Sequence, residues 1–310
     1  MQERIIWIDS LRSIGILAVI LGHITSPLGY FIYSWHMPLF FFLGGFFLKY
    51  ELTTTEFIKK DFNRLIIPYL IFTIAALMIE AIKRILLNRE SLDYLNELRG
   101  IFIWMDYSSL INTYGFVLWF LPALFFGRLI IYLLNKQVNS IPIQTIIIFI
   151  LFYVSFHVNL ILGIDNALNA SLFIFLGSIF YRFYQNDVRL YILPFLFLGL
   201  IYFFGIPALD IASKYYEHMI FNIIYSVSII FILISITKMI NYKSKLLALW
   251  GTNTMLLFIV HPYTNNIGHI ITDKFLFGGW YFKFFISLVI LHIVILIKQR
   301  YVNKGVFKYV

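Results

Sequence analysis

Ile8-Asp9-Ser10-Leu11-Arg12-Ser13-Ile14-Gly15-Ile16-Leu17-Ala18-Val19-Ile20-Leu21-Gly22-His23 is the stretch that decides how this chain folds. Its apolar residues have neither the strict alternation of a strand nor the polar stripe of a surface helix, so it reads as a helix crossing hydrocarbon. Two ionisable side chains interrupt it. Eleven steps of about 100° separate Arg12 from His23, which puts both on one face with a rise of about 16 Å between them. An Arg at the centre of a bilayer helix costs about 2.5–3.5 kcal/mol on insertion scales, so such residues turn toward a cavity or a partner and often mark a pathway. The pair is therefore the first candidate for chemistry. The plainer readings are Arg12 snorkelling to the inner headgroups and His23 bonding a carbonyl between helices. Asp9 stands three residues before Arg12, a spacing that permits an ion pair along the helix as well as simple charge neutralisation at a helix start.

Composition extends this reading to the whole chain. Of 310 residues, 61% are hydrophobic and 13% charged, with a mean hydropathy of +0.87. A soluble domain is about 45–50% apolar and about 25% charged, so the fold class is an all-α polytopic membrane bundle. The absence of cysteine excludes disulfides, thiolate nucleophiles and Cys-based metal centres. A net charge of +9 would point to nucleic acid in a soluble chain, but here Lys and Arg gather between apolar runs. Membrane topology explains them better, and no nucleic-acid partner is expected.

Apolar runs of near-spanning length fall at roughly 6–26, 34–48, 64–87, 115–134, 142–160, 168–184, 190–206, 218–237, 246–264 and 281–298. These predict ten transmembrane helices. With both termini in the cytoplasm, the larger share of the 24 Lys and Arg residues lies inside, Arg128 among them. The long connection from Asn88 to Tyr114 mixes charges with Leu, Ile, Phe and Trp104, the pattern of an amphipathic collar at the outer interface. No soluble extension or repeat is evident, so residues 1–310 read as a single integral-membrane domain with its chemistry on helices and short loops. The first apolar run lacks a cleavage pattern and is expected to stay in the mature protein.

Further candidates follow along the chain. His36-Met37-Pro38 opens the second span, with Pro38 suited to a first turn and His36 within reach of His23 across the intervening turn. Gly44 and Gly45 permit close approach of another helix. Lys60 and Arg64, at i and i+4 before the third span, repel unless an anion lies between them; lipid phosphate or a substrate phosphate would serve. Trp119, in Leu118-Trp119-Phe120-Leu121-Pro122, suits an aromatic belt or a stacking surface. Gly251-Thr252-Asn253 opens the ninth span and His261-Pro262 closes it at the outer boundary. Asn253 offers an interhelical hydrogen bond or a ligand contact. The histidines lack the i, i+4 or Glu-x2-His spacing of a metal site on one helix, and no metal is expected.

In this order, Asp9-x2-Arg12-x10-His23, His36-Met37-Pro38 with its Phe-rich glycine run, Arg64-x3-Pro68-Tyr69, Trp119-Phe120-Leu121-Pro122 and Gly251-x-Asn253 with His261 resemble the acyltransferase 3 family of membrane O-acyltransferases, most nearly its fucose 4-O-acetylase-like branch. The resemblance covers essentially the whole chain and implies a ten-helix plan. It also implies transfer of an acetyl group from acetyl-CoA to a hydroxyl of a cell-surface polysaccharide or lipid-linked sugar in a bacterial cytoplasmic membrane. The resemblance implies that Arg12 and His23 match the family's basic-residue-x10-His signature and Arg64 its basic site at the third helix; with the residue reading above, Arg12 and His23 are the expected catalytic residues, Arg12, Lys60, Arg64 and Asn253 the expected donor contacts, and Asp9, His36, Trp119 and His261 the expected supporting or acceptor-side residues. Two departures stand out: Gly44 occupies a position where relatives commonly carry Ser, and the basic site at the third helix is Lys60 with Arg64 rather than a closely spaced Arg pair. The residues alone leave two other classes open, a transporter or flippase for a lipid-linked glycan and an accessory subunit working with glycan-biosynthesis partners.

Overall fold

The computed structural model describes residues 6–183, 205–240, 244–275, 278–301 and 305–309, together with 199 and 202. Nearly all of the regular structure is helical; one ladder pairs Leu209–Asp210 with Tyr215–Tyr216. The helices are α1 (Ile6–Gly22), α2 (Gly29–Tyr33), α3 (His36–Phe46), α4 (Thr54–Asp61), α5 (Ile67–Leu86), α6 (Tyr94–Arg99), α7 (Tyr107–Leu110), α8 (Phe120–Gln137), α9 (Ile141–Val154), α10 (Ile164–Phe183), α11 (Met219–Ile240), α12 (Lys245–Thr252), α13 (Thr254–Phe275) and α14 (Trp280–Arg300). Among the described residues five helical stretches are long and apolar enough to cross a membrane, and six if α12 and α13 form one broken span. The protein is a multi-pass helical membrane protein.

That number is smaller than the ten runs in the sequence, for definite reasons. The first run forms a helix of 17 described residues, at the lower limit of what spans hydrocarbon, and the second and fifth form helices of 11 and 14, below that limit. Most of the seventh run lies outside the described residues. The third starts earlier than its apolar residues do: Thr53 caps α4 in a capping box with Glu56, and a π-turn at Phe62–Ile66 carries the helix on into α5. Lys60 and Arg64 thus sit within this longer helix, Lys60 in the last turn of α4 and Arg64 in the π-turn. The ninth run breaks at Asn253, where α12 and α13 meet at 84°.

The chain gathers into two compact units. In the first, drawn from Met1–Phe40 and Tyr216–Val310, α1 packs against α11, α12 and α13, and α14 pairs with α13. Ile8, Leu11, Ile16, Val19 and Ile20 of α1 are buried. Close approach is set by glycine: a Cβ on Gly251 of α12 would overlap the backbone carbonyl of Asp9. Gly251→Ala is expected to cost about 1–3 kcal/mol by forcing α12 off α1. An unchanged thermal unfolding midpoint in detergent would contradict this.

The second unit, drawn from Phe41–Asn186 and Asp210–Tyr215, is built on α8 and α10, with α9 laid on α10. Gly45 faces the Ile174 carbonyl and Gly177 the Phe42 carbonyl, with no room for a Cβ at either. Such contacts suit helices in lipid, where van der Waals packing of small residues replaces the hydrophobic drive. The connection from Asn88 to Tyr114 folds onto α5 through Tyr69, whose hydroxyl donates to the Ile101 carbonyl at 2.9 Å, and leaves Leu95, Leu98, Phe102 and Trp104 exposed. Exposed apolar side chains also line α5 (Ile74, Met78, Ile82, Ile85), as a lipid-facing stripe would.

Candidate active site

Helix α1 carries Asp9, Arg12 and, one residue past its end, His23. The helix does not run on through the turn that follows, because Pro27 has no N–H for the His23 carbonyl and disfavours helical backbone at Ser26. Asp9 is buried and its Oδ1 lies 3.7 Å from Nη1 of Arg12, whose side chain keeps 27% of its surface. The i, i+3 pair places the guanidinium beside a carboxylate. Ser13, on the next turn, donates to the Leu247 carbonyl of α12.

His23 lies among aromatic and imidazole rings. Its Nδ1 is 3.4 Å from the Tyr33 hydroxyl, and its ring centroid is 5.1 Å from that of His261, tilted by 41°. Tyr33 in turn meets His36 edge to face at 5.1 Å. His23 is partly exposed, whereas His36 and His261 are buried. Tyr33 thus links the two histidines that the sequence placed near one another, with α2 as the turn between them.

Two prolines shape this cluster through the hydrogen bonds they remove. Pro38 leaves the Ser34 carbonyl without its helical donor, and Ser226 Oγ of α11 lies 2.6 Å from that oxygen. Pro262 does the same to Phe258, whose carbonyl receives Nδ1–H of His261 at 2.7 Å. With that carbonyl satisfied, α13 runs on through Pro262 to Phe275, so His261 sits inside a helix and not at its outer end as the sequence suggested. One turn beyond, Asn265 Nδ2 donates to the Ile20 carbonyl at 3.0 Å, clasping α13 to α1. Ser287 of α14 donates to Asn265 Oδ1 at 2.7 Å and meets Thr264 Oγ1 at 2.6 Å. This polar zipper holds the helix that carries His261 against the helix that carries His23.

Asn253 is the break between α12 and α13. Its Nδ2 donates to the Leu249 carbonyl at 2.7 Å and its Oδ1 accepts from Lys298 Nζ at 2.8 Å. Both ends of the amide are engaged, which makes Asn253 the brace of the bend.

The second unit holds the other candidates. Lys60 and Arg64 are exposed on the turns joining α4 to α5. Trp119 is buried, 6.2 Å from Phe41. Arg128, which the sequence reading counted among cytoplasmic topology charges, is instead buried within α8. Its Nε donates to Asp61 Oδ2 at 2.6 Å, its Nη2 reaches Oδ1 at 3.4 Å, and its Nη1 donates to the Gly44 carbonyl.

Sequence reasoning missed Tyr33, Asn265, Ser287 and the Asp61–Arg128 pair. Asn265 was legible as the i+4 neighbour of His261 on one helical face, and Arg128 as a cation inside an apolar run. Tyr33 carried no such signal among so many aromatic neighbours. Among the described residues, no three His, Asp or Glu side chains converge as metal ligands.

A sequence model of the family described as an acyltransferase domain matches residues 5–298. The chain belongs to the acyltransferase 3 family. The match takes in α1 and the imidazole cluster at its end, the π-turn and the broken α12–α13 helix. The chain matches no curated protein and no solved structure.

Proposed function

We propose that this acyltransferase moves an acetyl group from acetyl-CoA to a hydroxyl of a cell-surface polysaccharide or lipid-linked sugar, in a bacterial cytoplasmic membrane with both chain termini on the cytoplasmic side. The observation that carries the reading is His23: a partly exposed imidazole at the end of α1, ringed by Tyr33 and His261, on the same helix as Arg12. An unprotonated ring nitrogen of His23 takes the proton of the acceptor hydroxyl as that oxygen attacks the thioester carbonyl. The tetrahedral intermediate collapses with loss of the carbon–sulfur bond, and the proton passes to the departing thiolate, giving free CoA and the acetyl ester. Arg12, about 16 Å along α1 by helical rise, supplies positive charge for the donor's phosphates, a span that suits a pantetheine arm.

Lys60 and Arg64 are proposed as further donor contacts, on the family resemblance and their exposure on the second unit. Replacing both with alanine is expected to raise KM for acetyl-CoA about tenfold with a smaller change in kcat, as loss of ground-state binding does. Unaltered KM would leave them as topology anchors.

The test of the function is mass spectrometry of cell-surface glycan from cells with and without the protein, paired with coenzyme release by the purified chain. Loss of an acetyl increment with loss of the protein is the expected result. Unchanged glycan acetylation, or glycan movement with no need for a thioester, would overturn it in favour of a transporter.

A further inference from the structure

His261-Pro262 is a device that fixes one tautomer of a buried imidazole. Pro262 has no N–H to give the Phe258 carbonyl its usual helical donor, and His261 Nδ1 lies 2.7 Å from that oxygen. A carbonyl oxygen cannot donate, so the contact requires Nδ1 to carry the hydrogen. The neutral ring then has its lone pair on Nε2. That atom is buried and has no hydrogen-bond partner among the described residues. An unsatisfied buried acceptor is costly and calls for a donor close by. The neighbouring ring is His23, 5.1 Å away between centroids, and the Asn265–Ile20 bond holds the two helices in that proximity.

We propose that His261 is the positioning residue of His23: its Nε2 accepts the N–H on one nitrogen of His23, leaving the other nitrogen unprotonated to take the acceptor's hydrogen. This rests on His23 being the base. A base oriented through its second nitrogen by a dedicated acceptor is the general logic of activated nucleophiles, and here a neutral imidazole, locked by a proline, stands where a carboxylate often does. A neutral orienter suits a site among apolar helices, where an unpaired carboxylate would be costly to bury.

Two amide substitutions separate this role from a structural one. In His261→Gln the side-chain amide extends to the Nε2 position and offers an acceptor there; in His261→Asn it reaches only as far as Nδ1 and can bond the Phe258 carbonyl. The expected result is that His261→Asn lowers kcat about a hundredfold with KM for acetyl-CoA unchanged, while His261→Gln keeps kcat within about tenfold of wild type. If the imidazole serves only to satisfy Phe258, the order reverses, and that reversal overturns the proposal. If His261→Gln folds poorly, Pro262→Ala in the same chain returns a backbone N–H to the Phe258 carbonyl, and the comparison is made in that background. Wild-type protein that releases no CoA with any glycan acceptor overturns the transfer reading itself, and this inference with it; an active wild type with equally active Asn and Gln variants overturns the inference alone.

Discussion

His23→Ala is expected to lower acetyl transfer by about two to four orders of magnitude, the range that a positioned general base supplies. The fold should tolerate the change. His23 lies one residue beyond α1 and is partly exposed, so its truncation opens no sealed core position. Donor binding should also survive, because Arg12 and its Asp9 partner lie three helical turns away. Acetyl-CoA should therefore still raise the unfolding temperature of the variant, as a ligand of the folded state does, while coenzyme release falls to background. The combination is diagnostic. A variant that keeps wild-type turnover removes His23 from the chemistry, and one that loses activity together with donor stabilisation assigns it to binding.

The features legible in the sequence were those that depend on local periodicity. The mean hydropathy and the apolar runs identify a helical membrane bundle, and the i, i+3 spacing of Asp9 and Arg12 gives a contact that the folded chain makes. Helix lengths were less accessible because apolarity does not mark helix ends. Thr53 and Glu56 extend the third helix through capping, and a π-turn carries it past the charged residues at which hydropathy would stop it. The sequence reading put His261 at the outer end of the ninth span, yet that histidine supplies the hydrogen bond that Pro262 removes and the helix continues to Phe275. At the site, the sequence named the histidines but not what joins them. Tyr33, Asn265 and Ser287 act through contacts between residues far apart in the chain, and single-helix spacing carries no record of those. Positive-inside counting also treats every cation as a topology signal, and it absorbed Arg128 into that sum.

Arg128 supports the largest prediction about stability. In the second unit its guanidinium lies between the Asp61 carboxylate and the Gly44 carbonyl, with side-chain exposures of 6% for Arg128 and 1% for Asp61. Arg128→Ala leaves that carboxylate buried without its countercharge, a loss of about 3–5 kcal/mol for a buried pair broken on one side. It also leaves the Gly44 carbonyl without this donor at a helix contact where Leu124 already fills the space a side chain would need. Removing both charges should be milder. An Asp61→Asn, Arg128→Met chain keeps volume and leaves no unpaired ion, so its unfolding midpoint is expected to fall between wild type and Arg128→Ala. The measurement is thermal or chemical unfolding of wild type, Asp61→Asn, Arg128→Met and the double variant in the same detergent, combined as a double-mutant cycle, with Arg128→Ala run alongside. Strict additivity of the two substitutions would mean that the pair contributes nothing as a pair. Strong coupling, in contrast, makes the ion pair the fastener that holds α8 to the turns carrying Lys60 and Arg64. A change in KM for acetyl-CoA in the double variant is then expected through displacement of those two cations, since the Arg128 side chain is only 6% exposed and is held by Asp61 and Gly44.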